Sequence, residues 1–360
     1  MKRVLVGLSG GVDSAVAAYL LKQEGHDVVG VMLRTWMSDD GQESRCCEID
    51  DAKAIADAIG IPFHPFNCTG VFNDKVIQPF MEQYLQGLTP NPCIFCNRYV
   101  KWERLMYYMK VLKGDYIATG HYAKVVKLDN GRYTVRNAEH IEKDQTYMLY
   151  RLTQEELAAT LMPLGKYSKD EVRAIAAKAG IPVADKPDSQ EICFIPDDDH
   201  AGFIRSNYPG KIPGEGNFVD TKGNVLGTHK GVMCYTVGQR KGLGIALGKP
   251  AYVCRIDTEK NEVVIGDIDD IMSDTVVCEL PNFLSMEAPL PGEEFRCRAR
   301  IRYHHEPAEA VACMTDEGKL RIKFSTPVKG AAPGQSAVMY DDEGNVIGGG
   351  VICKERQNEL

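Results

Sequence analysis

The chain has 360 residues, 44% hydrophobic and 26% charged, the make-up of a globular protein of two or three domains. A net charge of −8 and a pI near 5.6 exclude a uniformly basic nucleic-acid binder, so a polyanion partner would need a local basic surface. The opening apolar run is too short for a secretory signal and no stretch reaches membrane-span length, so the expected compartment is the cytoplasm, with no membrane partner.

Val4 to Leu8 is an apolar run ending in a Ser-Gly-Gly turn and predicts a buried strand. Ser14 to Glu24 repeats Val16, Ala17, Leu20 and Leu21 at helical spacing, with Gly25 as a C-cap. Val28–Leu33 predicts a second strand, Asp50–Ile59 a helix closed by Gly60, and Ile61-Pro62-Phe63 the start of a third strand. A helix over Asn97–Lys110 precedes a strand at Tyr116–Thr119, which runs into a Gly120-His121 loop. Ser168 and Glu171 have capping-box spacing ahead of a helix ending at Gly180. Such alternation predicts an α/β domain built on a twisted parallel sheet, with ligands at the carboxyl ends of its strands. Beyond Pro196 short β-type runs take over, at Tyr252–Ile256, Glu262–Ile265, Phe295–Tyr303, Leu320–Phe324 and Ser336–Tyr340. Asp-Glu-Gly at 316–318 and 342–344 reads as hairpin turns. The expected division is an α/β domain over 1–197, a small mixed connector over 198–275 and a C-terminal β-barrel or sandwich over 276–360.

Ser9-Gly10-Gly11-Val12-Asp13-Ser14 lies between the first strand and the first helix. Glycines let the backbone turn tightly, and helix-start amides with the two serine hydroxyls suit a phosphate. Asp13 cannot favour a phosphate directly, so it is expected to act through Mg²⁺ or an ordered donor. The string is neither a Walker A motif nor a dinucleotide fingerprint. It resembles the PP-loop of the N-type ATP pyrophosphatases, which adenylate a substrate oxygen and release pyrophosphate. That resemblance implies an ATP site at Gly7, Leu8, Ser9, Gly10, Gly11, Val12, Asp13 and Ser14, with adenine held by backbone near Met32.

Among the twelve cysteines, Cys93 and Cys96 form a C-x-x-C just ahead of the helix expected over Asn97–Lys110, where the dipole favours a thiolate. Cys193 lies in the polar Asp188–Phe194 loop, and Cys46-Cys47 forms a third cluster. Cys234, Cys254, Cys278, Cys297, Cys313 and Cys353 sit in apolar β-type company and read as packing. For Cys93, Cys96 and Cys193 three readings compete: zinc ligation, simple packing, and thiol or persulfide chemistry beside the ATP site. A reducing compartment disfavours structural disulfides.

The phosphate loop, Cys46-Cys47 with Asp51-Ala52, Thr89–Asn97, Thr119–Ala123, Lys143–Tyr147, Asp188–Phe194 and Tyr235–Arg240 occur in that order. Phe324–Pro327, Ala332–Ser336 and Gly348-Gly349-Gly350 follow. Together these strings resemble the tRNA-specific 2-thiouridylase family over essentially the full chain. The resemblance implies Cys96 as nucleophile and Cys193 as the cysteine that carries persulfide sulfur; either that persulfide attacks the base directly, or Cys96 frees sulfide from it and leaves a Cys96–Cys193 disulfide. It implies contact of Asn91, Pro92 and Cys93 with the target base, and of Gly120 with ATP. His121, Lys143, Asp144, Gln145, Arg302, Tyr303 and Gln335 are the implied tRNA contacts. The implied cofactors are ATP and Mg²⁺, and the partners are the anticodon stem-loop of a tRNA and a sulfur donor. That donor is a cysteine desulfurase, a relay protein or free sulfide. Cys93 departs from the pattern, since many members carry aspartate there. Three cysteines instead suit a [4Fe–4S] cluster on Cys93, Cys96 and Cys193 with one open iron.

For RNA, Arg296, Arg298, Arg300 and Arg302 alternate along one expected strand, so all four should share a face, with Tyr303 and His304 available to stack on bases. The competing enzyme class is a PP-loop synthetase or amidotransferase acting on a small metabolite. It calls for an N-terminal nucleophile, for which Met1-Lys2-Arg3-Val4 offers no candidate. A non-enzymatic RNA-binding or zinc scaffold calls for a degraded phosphate loop, and Ser9–Ser14 is intact.

Overall fold

A computed structural model describes residues 1–36, 49–184, 186, 192–195, 197–245 and 248–354. The expectations placed on Cys46-Cys47 and on Asp188–Glu191 lie outside the described residues.

The first domain is built on strands β1 (Arg3–Gly7), β2 (Asp27–Arg34), β3 (Phe63–Asn67) and β4 (Tyr116–Ala118). A two-stranded hairpin, β5 (Lys124–Lys127) and β6 (Tyr133–Arg136), precedes the short β7 (Thr160–Leu161). Five of these form a parallel sheet in the order β3-β2-β1-β4-β7. The Val-Leu run of β1 is buried on both faces, as a central parallel strand requires. Helices Val12–Gln23, Ile49–Ile59 and Lys169–Lys178 cover one face, and Glu103–Val111 with the hairpin covers the other. Connections diverge on the two sides of β1, so the crevice between β1 and β4 opens at their carboxyl ends. The Ser168–Glu171 capping box forms as expected, with Glu171 N–H donating to Ser168 Oγ at 3.2 Å. The helix expected over Asn97–Lys110 is broken into an α turn at Pro92–Phe95, a π segment at Cys96–Trp102 and an α-helix at Glu103–Val111. Local apolar periodicity is blind to the wider i→i+5 bonding of a π segment, a form that recurs at functional sites.

The middle module carries β8 (Gly216–Asp220), β9 (Val225–His229), β10 (Tyr252–Asp257) and β11 (Glu262–Gly266), in the order β10-β11-β8-β9. Then come β12 (Met272–Phe283), β13 (Phe295–Arg300), β14 (Ala308–Met314), β15 (Leu320–Lys329), β16 (Ser336–Tyr340) and β17 (Val346–Ile352). These six close into an antiparallel barrel, β12-β15-β14-β13-β16-β17, sealed by the β12–β17 pairing. Gly348-Gly349-Gly350 lies inside β17, where side chains have no room. A Cβ on Gly349 would stand 2.5 Å from the Ala337 carbonyl and 2.9 Å from the Tyr150 ring. One on Gly350 would meet Cys278 Cβ at 2.7 Å. The glycine run thus lets the barrel close and lets Tyr150 of the first domain lie against it.

Gly349→Ala is therefore expected to destabilise the protein by about 1–3 kcal/mol through overpacking. Gly70→Ala, with nothing within 4 Å, should be neutral or stabilising by roughly 0.4–1 kcal/mol. Denaturant melts of the two variants check the contrast.

Candidate active site

The phosphate loop leaves β1 and turns into helix Val12–Gln23 through Gly10, whose φ of +76° suits glycine. Ser9 N–H donates to Ser14 Oγ at 3.1 Å, and Ser14 Oγ donates to the Gly11 carbonyl at 3.1 Å. Gly11 stands at the helix N-cap with no side-chain cap among the described residues, leaving the first-turn amides for a ligand. Gly120, at the end of β4, packs directly on this loop: a Cβ there would lie 2.6 Å from Ser14 N and 2.7 Å from Asp13 C. The loop and Gly120 thus face one another across the crevice. Met32 lies one residue past the last β1–β2 pair and is 1% exposed, so only its backbone can serve a ligand.

Asp13 is already engaged. Lys169 Nζ donates to its two carboxylate oxygens at 2.8 and 2.9 Å, and Tyr122 OH donates to Oδ1 at 2.7 Å. Lys169 and Tyr122 are thus ordered donors to Asp13. Neither Lys169 nor Tyr122 stood out in the sequence, because Lys169 looks like an ordinary first-turn residue of a capped helix. Tyr122 is tied in turn to Gln145, its N–H donating to Gln145 Oε1 at 3.0 Å and its carbonyl accepting from Gln145 N at 2.9 Å.

The cysteines divide. Cys96 is buried in an apolar cluster with Cys68, Phe72, Phe80 and Phe194, and half-buried Cys193 packs against the same cluster. Phe194 anchors that arrangement by edge contacts with Phe72 and Phe80 at 5.6 and 5.3 Å. Leu33 and Trp36, at the carboxyl end of β2, pack on it too. Cys93 is exposed, and near enough to Tyr303 to influence its hydroxyl. Among the described residues no three Cys, His, Asp or Glu side chains gather to hold a metal, so the three cysteines do not fit a common cluster in this arrangement.

The loop before Cys93 is held by the barrel. Thr89 N–H donates to the Pro333 carbonyl at 2.7 Å, and Gln335 Nε2 donates to the Thr89 carbonyl at 2.9 Å. Asn91 Nδ2 reaches Met148 Sδ at 3.5 Å, while Asn97 Nδ2 donates to the Met148 carbonyl at 3.0 Å. Pro92, at the first position of its turn, is buried.

The expected arginine face is corrected. β13 ends at Arg300, and only Arg296 and Arg298 of the four are exposed. Arg300 is 7% exposed, sits over the Tyr340 ring at 5.3 Å and lies 3.7 Å from Asp144 Oδ2. Arg302 donates to the Gly330 carbonyl at 2.7 Å and the Val237 carbonyl at 2.6 Å, joining barrel to middle module. At the barrel end these guanidiniums meet partners from other domains, which strand alternation cannot foresee. Asp144 likewise points inward, accepting from Thr146 Oγ1 at 2.6 Å and Ala138 N at 2.9 Å. Desolvation pushes its carboxyl up, partly offset by these donors and by Arg300. Tyr303 OH donates to the Asp144 carbonyl at 2.9 Å. Lys143 and Gln145 are half-buried on either side of Asp144. His121 bonds Thr119 Oγ1 through Nδ1 at 2.9 Å, with its ring 5.3 Å from that of Trp102.

A phosphate loop at the carboxyl edge of a parallel sheet, faced by Gly120, defines a PP-loop nucleotide-binding protein. Family models match in the same order: a tRNA methyl transferase HUP domain over residues 2–197, a PRC-barrel domain over 202–267 and an aminomethyltransferase β-barrel domain over 273–352. A tRNA-specific 2-thiouridylase from Lachnoclostridium phytofermentans is 50% identical, covering 98% of this chain and 100% of its own. One from Clostridium acetobutylicum is 47% identical over 98% and 99%. The chain belongs to the tRNA-specific 2-thiouridylase family. A solved U34-tRNA thiolase of Methanococcus maripaludis, with its [4Fe–4S] cluster, is 22% identical with a TM-score of 0.35, covering 58% of this chain and 67% of that one. A likeness that loose does not bear on the cysteines.

Burial, reinforced by Lys101, holds the His121 imidazole well below its usual 6.5. Below about pH 6.5 the unfolded chain takes up a proton that the folded one refuses, so this stability is complete above 6.5 and lost as pH falls. His121→Gln should flatten the decline in Tm between pH 7 and 5. Burial also lowers His229 and His305, so part of the slope should remain.

Proposed function

We propose that this chain makes 2-thiouridine in tRNA, using ATP to adenylate the C2 oxygen of the wobble uridine. The observation that carries the reading is the juxtaposition of two sites on adjoining strands. The phosphate loop follows β1, and the Cys96–Cys193 cluster packs on the end of β2, its neighbour in the sheet.

A uridine C2 carbonyl is a poor electrophile. The C2 oxygen attacks the α-phosphorus of ATP, the bond to the β-phosphate oxygen breaks, and pyrophosphate leaves on the loop amides. The activated C2 then accepts sulfur. In the two-cysteine route the terminal sulfur of a Cys193 persulfide attacks C2. Cys96 thiolate then attacks the Cys193 sulfur, the S–S bond breaks, and AMP departs with the original oxygen. Cys96 and Cys193 end as a disulfide, which an external thiol reduces before the next turnover. A cysteine desulfurase or relay protein delivers the sulfur as its own persulfide, which a reduced Cys193 takes over. Free sulfide can serve only by attacking the Cys96–Cys193 disulfide, breaking its S–S bond to leave the Cys193 persulfide and a Cys96 thiolate. Burial of Cys96 and part-burial of Cys193 in one apolar pocket shield such a persulfide from water. A [4Fe–4S] route needs Cys93 beside the other two thiols; no group of three such ligands gathers among the described residues, which favours the two-cysteine route. Asn91, Pro92 and Cys93 border the entrance for the base, with Tyr303 of the barrel at hand. Arg296 and Arg298 are exposed cations of the barrel that suit RNA phosphates. Among the described residues no helix is long and apolar enough to cross a membrane, and a tRNA substrate calls for the cytoplasm.

Mass spectrometry of nucleosides after incubation with ATP, a persulfide donor and unmodified tRNA is expected to reveal 2-thiouridine. Cys193→Ser should abolish the product made from a persulfide donor yet keep tRNA-dependent ATP/pyrophosphate exchange. Cys93→Ser, purified aerobically, should retain turnover within a few-fold. Loss of both bound iron and activity in that variant would sink the two-cysteine route.

A further inference from the structure

The geometry points to Lys169 as the cation that receives the departing pyrophosphate, with Asp13 serving as its holder and not as a magnesium ligand. This inference rests on reading the loop as an ATP site.

Asp13 is the one carboxylate within the Ser9–Ser14 string, and it carries three donor contacts from two residues. Both its oxygens are taken by the Lys169 ammonium, and Tyr122 OH fixes one of them. A carboxylate so engaged does not fit a cation-binding role without first losing Lys169. The pair instead cancels a negative charge that would repel phosphate, and it pins an ammonium within the loop. Lys169 is suited to this by position. It is the first residue of helix Lys169–Lys178, immediately after the doubly hydrogen-bonded Ser168 cap, so its backbone is fixed. Its side chain is 12% exposed against 34% for Asp13, so it is well shielded from bulk solvent. When the α-phosphorus bond breaks, the electron pair leaves on a β-phosphate oxygen. An ammonium N–H turned from Asp13 to that oxygen stabilises the charge with no proton transfer, while Asp13 keeps the nitrogen in place. Tyr122, held by Gln145, prevents the carboxylate from following.

Direct titration of pyrophosphate by calorimetry, with ATP/pyrophosphate exchange over a range of Mg²⁺ concentrations, tests this in the full-length chain. Lys169→Ala and Asp13→Asn are each expected to weaken pyrophosphate binding about tenfold and slow exchange by about 10²-fold. The double variant should be no worse than either single one, since both remove one device. Lys169→Arg should keep most of the pyrophosphate affinity, and the Mg²⁺ concentration for half-maximal exchange should stay put throughout. A raised Mg²⁺ requirement in Asp13→Asn, with unchanged pyrophosphate affinity in Lys169→Ala, would overturn the assignment. Wild-type protein that neither binds pyrophosphate nor exchanges it with tRNA present would overturn the ATP-site reading and this inference with it. Tm and tRNA affinity of each variant separate a folding defect from a lost contact.

Discussion

Asp144 is almost without solvent contact, yet it belongs to three parts of the chain at once. Its carboxylate takes donors from Ala138 and Thr146 and faces Arg300 of the barrel, while its backbone carbonyl accepts from Tyr303. Burying a carboxylate is costly unless donors surround it, and losing one partner leaves a charge stranded. The two domains are therefore obliged to meet in one register. That register sets Tyr303 beside Cys93 and brings Pro333 and Gln335 onto Thr89. Tyr147 and Tyr150 strengthen the joint through Ser336 at 2.7 and 3.0 Å.

The same segment reaches the nucleotide side. Gln145, next to Asp144, locks Tyr122, and Tyr122 locks Asp13 of the phosphate loop. The path from barrel to loop passes through short hydrogen bonds between residues that are buried or half-buried. Residues singled out as RNA contacts on family grounds thus prove to be structural ties as well. Gln335 and Arg302 spend their polar atoms on backbone carbonyls, and Asp144 spends its own on neighbours.

What was legible in the sequence was what lies in contiguous strings. The Ser9–Ser14 loop and the Cys93–Cys96 turn are each contained within a few residues, and the parallel sheet announces itself by alternation. The pairing of Cys96 with Cys193 was reached through family resemblance, since nothing local connects them. Where side chains answer to distant neighbours, local reading failed. Arg300 and Arg302 follow a strand pattern on paper, but the strand ends and other domains supply their partners. Lys169 was invisible because its meaning comes from Asp13, far away in the chain. The glycines of β17 were noticed as a motif, and only the barrel wall explains them.

The bond from Gln335 to Thr89 spans 246 residues. A ribosome releases the α/β domain first, and domains tend to fold in that order. Until the last strands of the barrel emerge and close, the turn ahead of Cys93 has no Pro333 or Gln335 to hold it. The turn that carries Cys93 is thereby settled only in the finished molecule: a chain still being synthesised can build its phosphate loop before that turn meets its barrel partners. Closure of such distant contacts is also slow in general, so this turn is expected to settle later than the nucleotide fold.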